Sequence, residues 1–373
     1  MIPVRRSLLA GGAALSALLT APRCLHAQTL TANPEAERRF NPQPGAWRSF
    51  EVITRVALAD PVGPSRIWLP VPSIDSDWQQ SLGSSFSSNG QARLVSDGIE
   101  GARMVYAQFP AGVSPVVEVT SRVRTRSRAD LTRPARVARE DAATLRHYTR
   151  ATRLLPTDGI VRETALAATR GARGDVAKAR ALYDWVVANA WREPQVRGCG
   201  EGDIKTMLET GNLGGKCADI NALFVGLCRS VGLPARDVYG LRLVPSAFGY
   251  KELSGNPSSL KGAQHCRAEV YLQAHGWVAM DPADVAKVMR LETPEWLKRT
   301  DHPVVAPVYR HLFGGWEGNW LGWNTAHDLK LPGAKEGVLN FLMYPIAETD
   351  EGRVDSYAPD AFRYTISARE ISA

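Results

Sequence analysis

The stretch Gly214-Gly215-Lys216-Cys217-Ala218-Asp219-Ile220-Asn221-Ala222-Leu223-Phe224 marks a change of pattern in mid-chain. Two glycines and a lysine lead into a cysteine. From there Ile220, Leu223, Phe224, Leu227 and Val231 fall at i, i+3, i+4, i+7 and i+11, one face of a 3.6-residue helix. Leu233-Pro234 stops that helix, because proline cannot donate to the backbone ladder. Cys217 therefore opens a helix that runs from about Cys217 to Val231. A helix start presents unpaired N–H groups and the positive end of the dipole, which favour thiolate over thiol. The preceding glycines let another backbone or a substrate come close. Asp219, in the first helical turn, suits a cap or dipole partner.

Outward from this helix the pattern alternates between helix and strand. Upstream, Val176 to Ala190 places Ala179, Leu182, Trp185 and Val186 on one stripe. Downstream, apolar strands are expected near Ala235–Val244 and Arg267–Leu272, the second turning through Ala274-His275-Gly276 into Trp277–Met280. Helices followed by strands predict an α+β domain. His265 begins the second strand-like run, and Asp281 stands 16 residues on, at the end of the next strand. A hairpin brings strand starts and ends together, so the aspartate is placed to orient the imidazole. The imidazole in turn is placed to take the cysteine proton.

The residues around these three are as informative as the three themselves. Gly215 to Phe224, then Gly232-Leu233-Pro234-Ala235-Arg236-Asp237-Val238-Tyr239-Gly240, resemble the cysteine segment of the transglutaminase-like superfamily. His265-Cys266-Arg267-Ala268-Glu269-Val270-Tyr271-Leu272 and Gly276-Trp277-Val278-Ala279-Met280-Asp281-Pro282 resemble its histidine and aspartate segments. The resemblance covers about residues 140–290. It implies a papain-like fold with Cys217 as nucleophile, His265 as general base and acid, and Asp281 as orienter. It implies no metal and no cofactor, and no EF-hand-like acidic loop is present. Trp191 sits where the family carries an aromatic residue upstream of the cysteine, an oxyanion candidate through its indole N–H; a core tryptophan is the other reading. Cys266-Arg267 departs from the family's frequent Ala-Trp, which puts the pocket wall beside His265 in question.

From residue 46 to about 130 the chain reads as short alternating runs, such as Ser49–Val56, Arg66–Pro72 and Val116–Val123. Turn clusters such as Ser87-Ser88-Asn89-Gly90 separate them, the pattern of an antiparallel β-sandwich. The expected fold class is thus α+β, a papain-like, transglutaminase-like catalytic core preceded by an antiparallel β-sandwich domain. The expected boundaries are 1–27 for an export signal, 28–45 for a linker and 46–130 for the sandwich. They continue with 138–300 for the catalytic domain and 301–373 for an extension packing on the core. In that extension Trp316, Trp320 and Trp323 suit an interdomain core or a cover over the cleft. His327-Asp328 mimics a dyad but suits a structural role, Glu269 suits a structural ion pair, and His275 suits a solvated turn.

The leader carries Arg5-Arg6, an apolar run of 14 residues from Leu8 to Ala21, and Leu25-His26-Ala27. The run is short for a bilayer, which needs about 20 residues, so it reads as a signal, twin-arginine or Sec, and the protein as periplasmic or secreted. The net charge is +7; without Arg5, Arg6 and Arg23 it falls to +4, with no basic block to suggest nucleic acid. No later stretch reads as a membrane span. Beyond Cys24 the cysteines are Cys199, Cys217, Cys228 and Cys266. Their spacing is not zinc-like, and if one thiol serves chemistry the remaining three allow at most one bridge. The expected function is hydrolysis of a peptide or protein amide, cell-wall peptide among the candidates. Amine transfer by a transglutaminase and a non-catalytic binding module are the alternatives.

Overall fold

The computed structural model describes residues 38–132 and 140–372. The export signal expected at 1–27, most of the linker and the start of the catalytic segment at 138 lie outside the described residues.

The strand Arg48–Leu58 shows how the sandwich is built. Phe50, Val52, Val56 and Leu58 are buried while Arg55 is exposed, the period-2 alternation of a sheet with one face on a core. It lies in a four-stranded antiparallel sheet ordered Phe362–Ile371, Arg48–Leu58, Val116–Thr125, Gln79–Ser88. A five-stranded sheet is ordered Gly352–Val354, Ile346–Thr349, Ser65–Pro70, Arg103–Phe109, Gln91–Ser96. Ile67 and Leu69 from this second sheet share one core with Phe50, Val52, Val119 and Val123 of the first. Its other face is covered too. Trp68 stacks on Tyr106 at 5.4 Å, and both join a second cluster with Leu329, Leu331 and Leu342. Burial on both faces explains why Ser65–Pro70 reads as an almost continuous apolar run.

The remaining core is a helix laid on a sheet. The sheet is antiparallel, ordered Gly276–Met280, Gln264–Leu272, Ala235–Arg242, Trp320–Asn324. Against it lies the central helix Cys217–Ser230, every residue of which is buried. The helices Gly159–Ala168, Asp175–Asn189 and Pro282–Leu291 pack around that central helix. The helix and hairpin expected from the sequence are therefore present within one to three residues of their expected ends.

The stretch 301–373 does more than rest on this core. Trp320–Asn324 completes the catalytic sheet, Ile346–Thr349 and Gly352–Val354 extend one sandwich sheet, and Phe362–Ile371 forms the edge of the other. The register Ser49↔Ile371 to Leu58↔Phe362 holds this last strand along the whole of Arg48–Leu58. Trp316 and Trp320 meet Trp78 at 5.3 and 5.9 Å between the layers. The tryptophans thus form core, with Trp316, Trp320 and Trp323 all buried.

Candidate active site

The loop that delivers Cys217 is fixed from both sides. Gly214 and Gly215 pair in parallel with Trp191 and Arg192, and each glycine is there for want of space. A Cβ on Gly214 would lie 2.6 Å from the Trp191 Nε1, and one on Gly215 would lie 2.5 Å from the Asp219 Cβ. Asp219 takes the capping role expected of it. Its Oδ2 accepts from the Lys216 N–H at 2.9 Å, and its Oδ1 accepts from the N–H groups of Glu201 and Gly202, both at 2.9 Å. One carboxylate thereby ties the loop 199–202 to the start of the central helix.

His265 lies on the strand Gln264–Leu272 and Asp281 at the N-cap of the helix Pro282–Leu291. The hairpin between them brings His265 Nε2 to 2.7 Å from Asp281 Oδ2. That leaves Nδ1 as the ring nitrogen available to Cys217, whose thiol His265 helps to draw down. Cys217, His265 and Asp281 are thus together, 2%, 4% and 0% exposed. Trp191 borders them without joining the chain: half-buried, it stands against Gly214, three residues before the thiol.

Four partners were not legible in the sequence. Asn221, one turn into the central helix, donates from Nδ2 to Asp281 Oδ1 at 3.2 Å and to the Cys266 carbonyl at 2.9 Å, and its Oδ1 accepts from the Ala283 N–H. It locks three elements around the dyad. Asp284 Oδ1 lies 3.3 Å from His265 Nε2 and 2.5 Å from an Arg242 guanidinium nitrogen. Arg267, the family departure, has its Nε 3.7 Å from Asp281 Oδ2 and its guanidinium over the Trp320 ring. Trp320 donates from Nε1 to the His265 carbonyl at 2.9 Å. A lone asparagine on an otherwise apolar helix face, four residues after the cysteine, was the available signal.

The charges follow from this crowding. Burial and Arg242 oppose a proton on His265, but Asp284 and Asp281 outweigh them and push the imidazole up to about 9. Asp284 stays well below the usual carboxylate range despite its burial, held there by Arg242 and His265. The Cys217 thiol is drawn well below its ordinary value by the neighbouring Cys199 and Cys266 thiols and, against burial, by His265. Both shifts favour the thiolate and imidazolium forms of the pair. Among the described residues, His265, Asp281 and Asp284 place ligand atoms within 4.8 Å of one another. Arg242 and Arg267 already occupy those carboxylates, so the set reads as the dyad's own charge network.

The remaining sequence candidates lie elsewhere. His327 does not pair with Asp328; its Nε2 is 3.0 Å from Asp237 Oδ2 and 3.2 Å from the Tyr239 hydroxyl. Asp328 sits in the left-handed region and accepts from the Arg153 N–H. Glu269 bridges Arg128 and Arg236, as a structural ion pair should. His275 is half-buried in its turn. Cys199, Cys217, Cys228 and Cys266 are all buried and unbridged. Beside Cys199 a groove of about 440 Å³ opens between Gly200-Glu201 and residues 338–357, lined by Phe341, Tyr344, Arg353, Asp355 and Tyr357. No helix of the described residues is long and apolar enough to cross a membrane.

Comparison with known proteins identifies the family. A sequence model of the transglutaminase-like superfamily matches residues 162–282. An uncharacterised protein of Haemophilus influenzae is 33% identical over 327 residues, covering 83% of this chain and 87% of that protein. The structure is similar to that of a candidate cysteine protease from Cytophaga hutchinsonii, with a TM-score of 0.52, 15% identity, and 89% and 93% of the two chains covered. The periplasmic domain of TgpA from Pseudomonas aeruginosa matches with a TM-score of 0.36 and 17% identity, covering 68% of this chain and 92% of that domain. The chain belongs to the transglutaminase-like superfamily.

Proposed function

We propose that this protein is a cysteine-dependent amide hydrolase, a peptidase or amidase, acting through Cys217, His265 and Asp281. The observation that carries the reading is His265 Nε2 held 2.7 Å from Asp281 Oδ2, with His265 near enough to draw the Cys217 thiol down and all three shut away from water. The Cys217 thiolate attacks the amide carbonyl carbon. The developing oxyanion is received by the Cys217 backbone N–H at the helix start, with the Trp191 indole N–H as a second donor. His265 gives its proton to the departing amine, leaving a thioester. Water then gives a proton to His265 as it attacks the thioester, and the thiolate is released. Asp281 fixes the ring so that Nδ1 faces sulfur.

The groove starting at Gly200, next in sequence to Cys199, is partly aromatic; although the triad does not line it, it is compatible with a peptide or protein substrate, cell-wall peptide among them. The Arg5-Arg6 leader favours export of the mature protein to the periplasm or out of the cell. The test is acyl-enzyme trapping on a peptide amide library with mass spectrometry. Cys217→Ala should lose the thioester adduct and roughly 10⁴-fold or more of turnover while keeping its melting temperature. Turnover at the parent rate would sink the assignment. Lysine-like amine added at millimolar concentration decides between water and amine as acceptor. Free acid should dominate, and mainly amide product would promote the transglutaminase reading.

A further inference from the structure

Cys217 does not stand alone among thiols. The Cys199 and Cys266 thiols are near enough to draw it down, yet no acyl-transfer step forms a bond to either of them. The two neighbours are held differently. Cys266 lies within the strand Gln264–Leu272, opposite Tyr239 in the register and with its carbonyl held by Asn221. Its backbone is fixed by the strand Ala235–Arg242 on one side and by the Asn221 side chain on the other. Cys199 lies on the loop between Gly198 and Gly200, both in the left-handed region, and its carbonyl accepts from the Ala218 N–H at 2.9 Å. That bond holds the main chains of Cys199 and Cys217 side by side, at about the spacing of paired strands. A disulfide needs Cα atoms roughly 4.4–6.8 Å apart, and the loop can supply the small adjustment that a sheet strand resists. The Cys199 Sγ lies 3.5 Å from the Gln264 carbonyl.

We propose that Cys199 is a resolving thiol, and that peroxides convert the site into a reversible Cys199–Cys217 disulfide. In the first step the Cys217 thiolate attacks one peroxide oxygen and the O–O bond breaks. The leaving hydroxide takes the proton of the His265 imidazolium as water, and Cys217 becomes a sulfenic acid. Sulfur is oxidised and the peroxide reduced, two electrons each. In the second step the Cys199 sulfur attacks the Cys217 sulfur, the S–O bond breaks, and hydroxide leaves with the Cys199 proton as water.

Order is built into the pair. While Cys217 is a thiolate, its hydrogen bond and its charge, together with burial, hold Cys199 protonated. Oxidation of Cys217 to a neutral sulfenic acid removes that charge, so Cys199 becomes the better nucleophile only after the first step. The consequence is protection. With the nucleophile 2% exposed, a small peroxide reaches it more readily than a bulky substrate does. An unresolved sulfenic acid goes on to irreversible sulfinic acid.

The inference rests on Cys217 being the low-pKa thiol, not on which amide it cleaves, and it is read by mass rather than turnover. The full chain is treated with hydrogen peroxide and mapped without reduction. The expected result is a Cys199–Cys217 cross-linked peptide pair, with Cys217 alkylation by iodoacetamide lost at least about tenfold and restored by dithiothreitol. In Cys199→Ser, Cys217 should instead gain two or three oxygens that dithiothreitol does not remove. Cys266→Ser should still form the cross-link. A cross-link to Cys266, no cross-link at all, or full recovery of Cys199→Ser by dithiothreitol would each overturn the proposal and leave the hydrolase reading untouched.

Discussion

At Nε2 of His265 two carboxylates compete, Asp281 at 2.7 Å and Asp284 at 3.3 Å. Arg242, Arg267 and the Cys217 thiolate complete the charged surroundings of the ring. This balance raises the imidazole to about 9. Hydrolysis needs the imidazolium to protonate the leaving amine, so activity is present below that value and is lost as pH rises through it. An alkaline limb in kcat/KM near pH 9 is the expected outcome. Asp284→Asn removes one carboxylate and leaves Arg242 facing the ring unpaired, and both changes disfavour the charged ring. The alkaline limb should move down by about one pH unit, measured on the folded fraction because an unpaired buried arginine also costs stability. An unmoved limb would show that Asp284 serves only Arg242. Asp281→Asn, which spoils the tautomer but keeps the nucleophile, should cost roughly a hundredfold less than Cys217→Ala.

The central helix performs two tasks along its length. Its first turn presents Cys217 and its fifth residue, Asn221, holds Asp281, while the rest is buried filling. Its two ends should therefore respond differently to substitution. Gly215→Ala places a Cβ 2.5 Å from the Asp219 Cβ, so either the loop or the cap must move. A loss of about 1–3 kcal/mol is expected, together with loss of Cys217 alkylation at mildly acidic pH. Cys228→Ala lies eleven residues past Cys217 in packed core, 0% exposed. Burial pushes the Cys228 thiol far up, so it is inert as a nucleophile. That variant should lose about 1–2 kcal/mol to its small cavity and keep full alkylation of Cys217. Urea unfolding and thiol mapping together check both, and the reverse pattern would place the reactive thiol at the wrong end.

Across the whole molecule the C-terminal segment is the binder. Phe362–Ile371 pairs with Arg48–Leu58 and buries Phe362, Tyr364 and Ile366. The same strand receives the Leu260 N–H on the Ile366 carbonyl at 2.7 Å and sends the Ala368 N–H to the Pro257 carbonyl at 2.8 Å. Those loop residues lead directly into the strand of His265. Truncation after Pro359 should therefore lower the melting temperature of the whole protein and not of the sandwich alone, and should abolish Cys217 reactivity. A truncated chain that melts and alkylates like the parent would refute this coupling.

What was legible in the sequence was local. The helix at Cys217, the hairpin from His265 to Asp281 and the alternating strands of the sandwich follow from periods of 3.6 and 2, from glycines and from Pro234, because each is decided by neighbours a few residues apart. The pairing of His265 with Asp281 was likewise marked by chemistry at conspicuous positions. Tertiary structure alone decided the rest. Whether His327 pairs with Asp328 or with Asp237 depends on which strand lies opposite, and the strand was Ala235–Arg242. That Asn221, Asp284, Arg242 and Arg267 close around one imidazole, and that Cys199 and Cys266 meet Cys217, depends on long-range pairing with no local signature. Charge and reactivity at this site come from desolvation and from residues as far apart in sequence as Asn221 and Asp281, 60 residues, and folding supplies both at once.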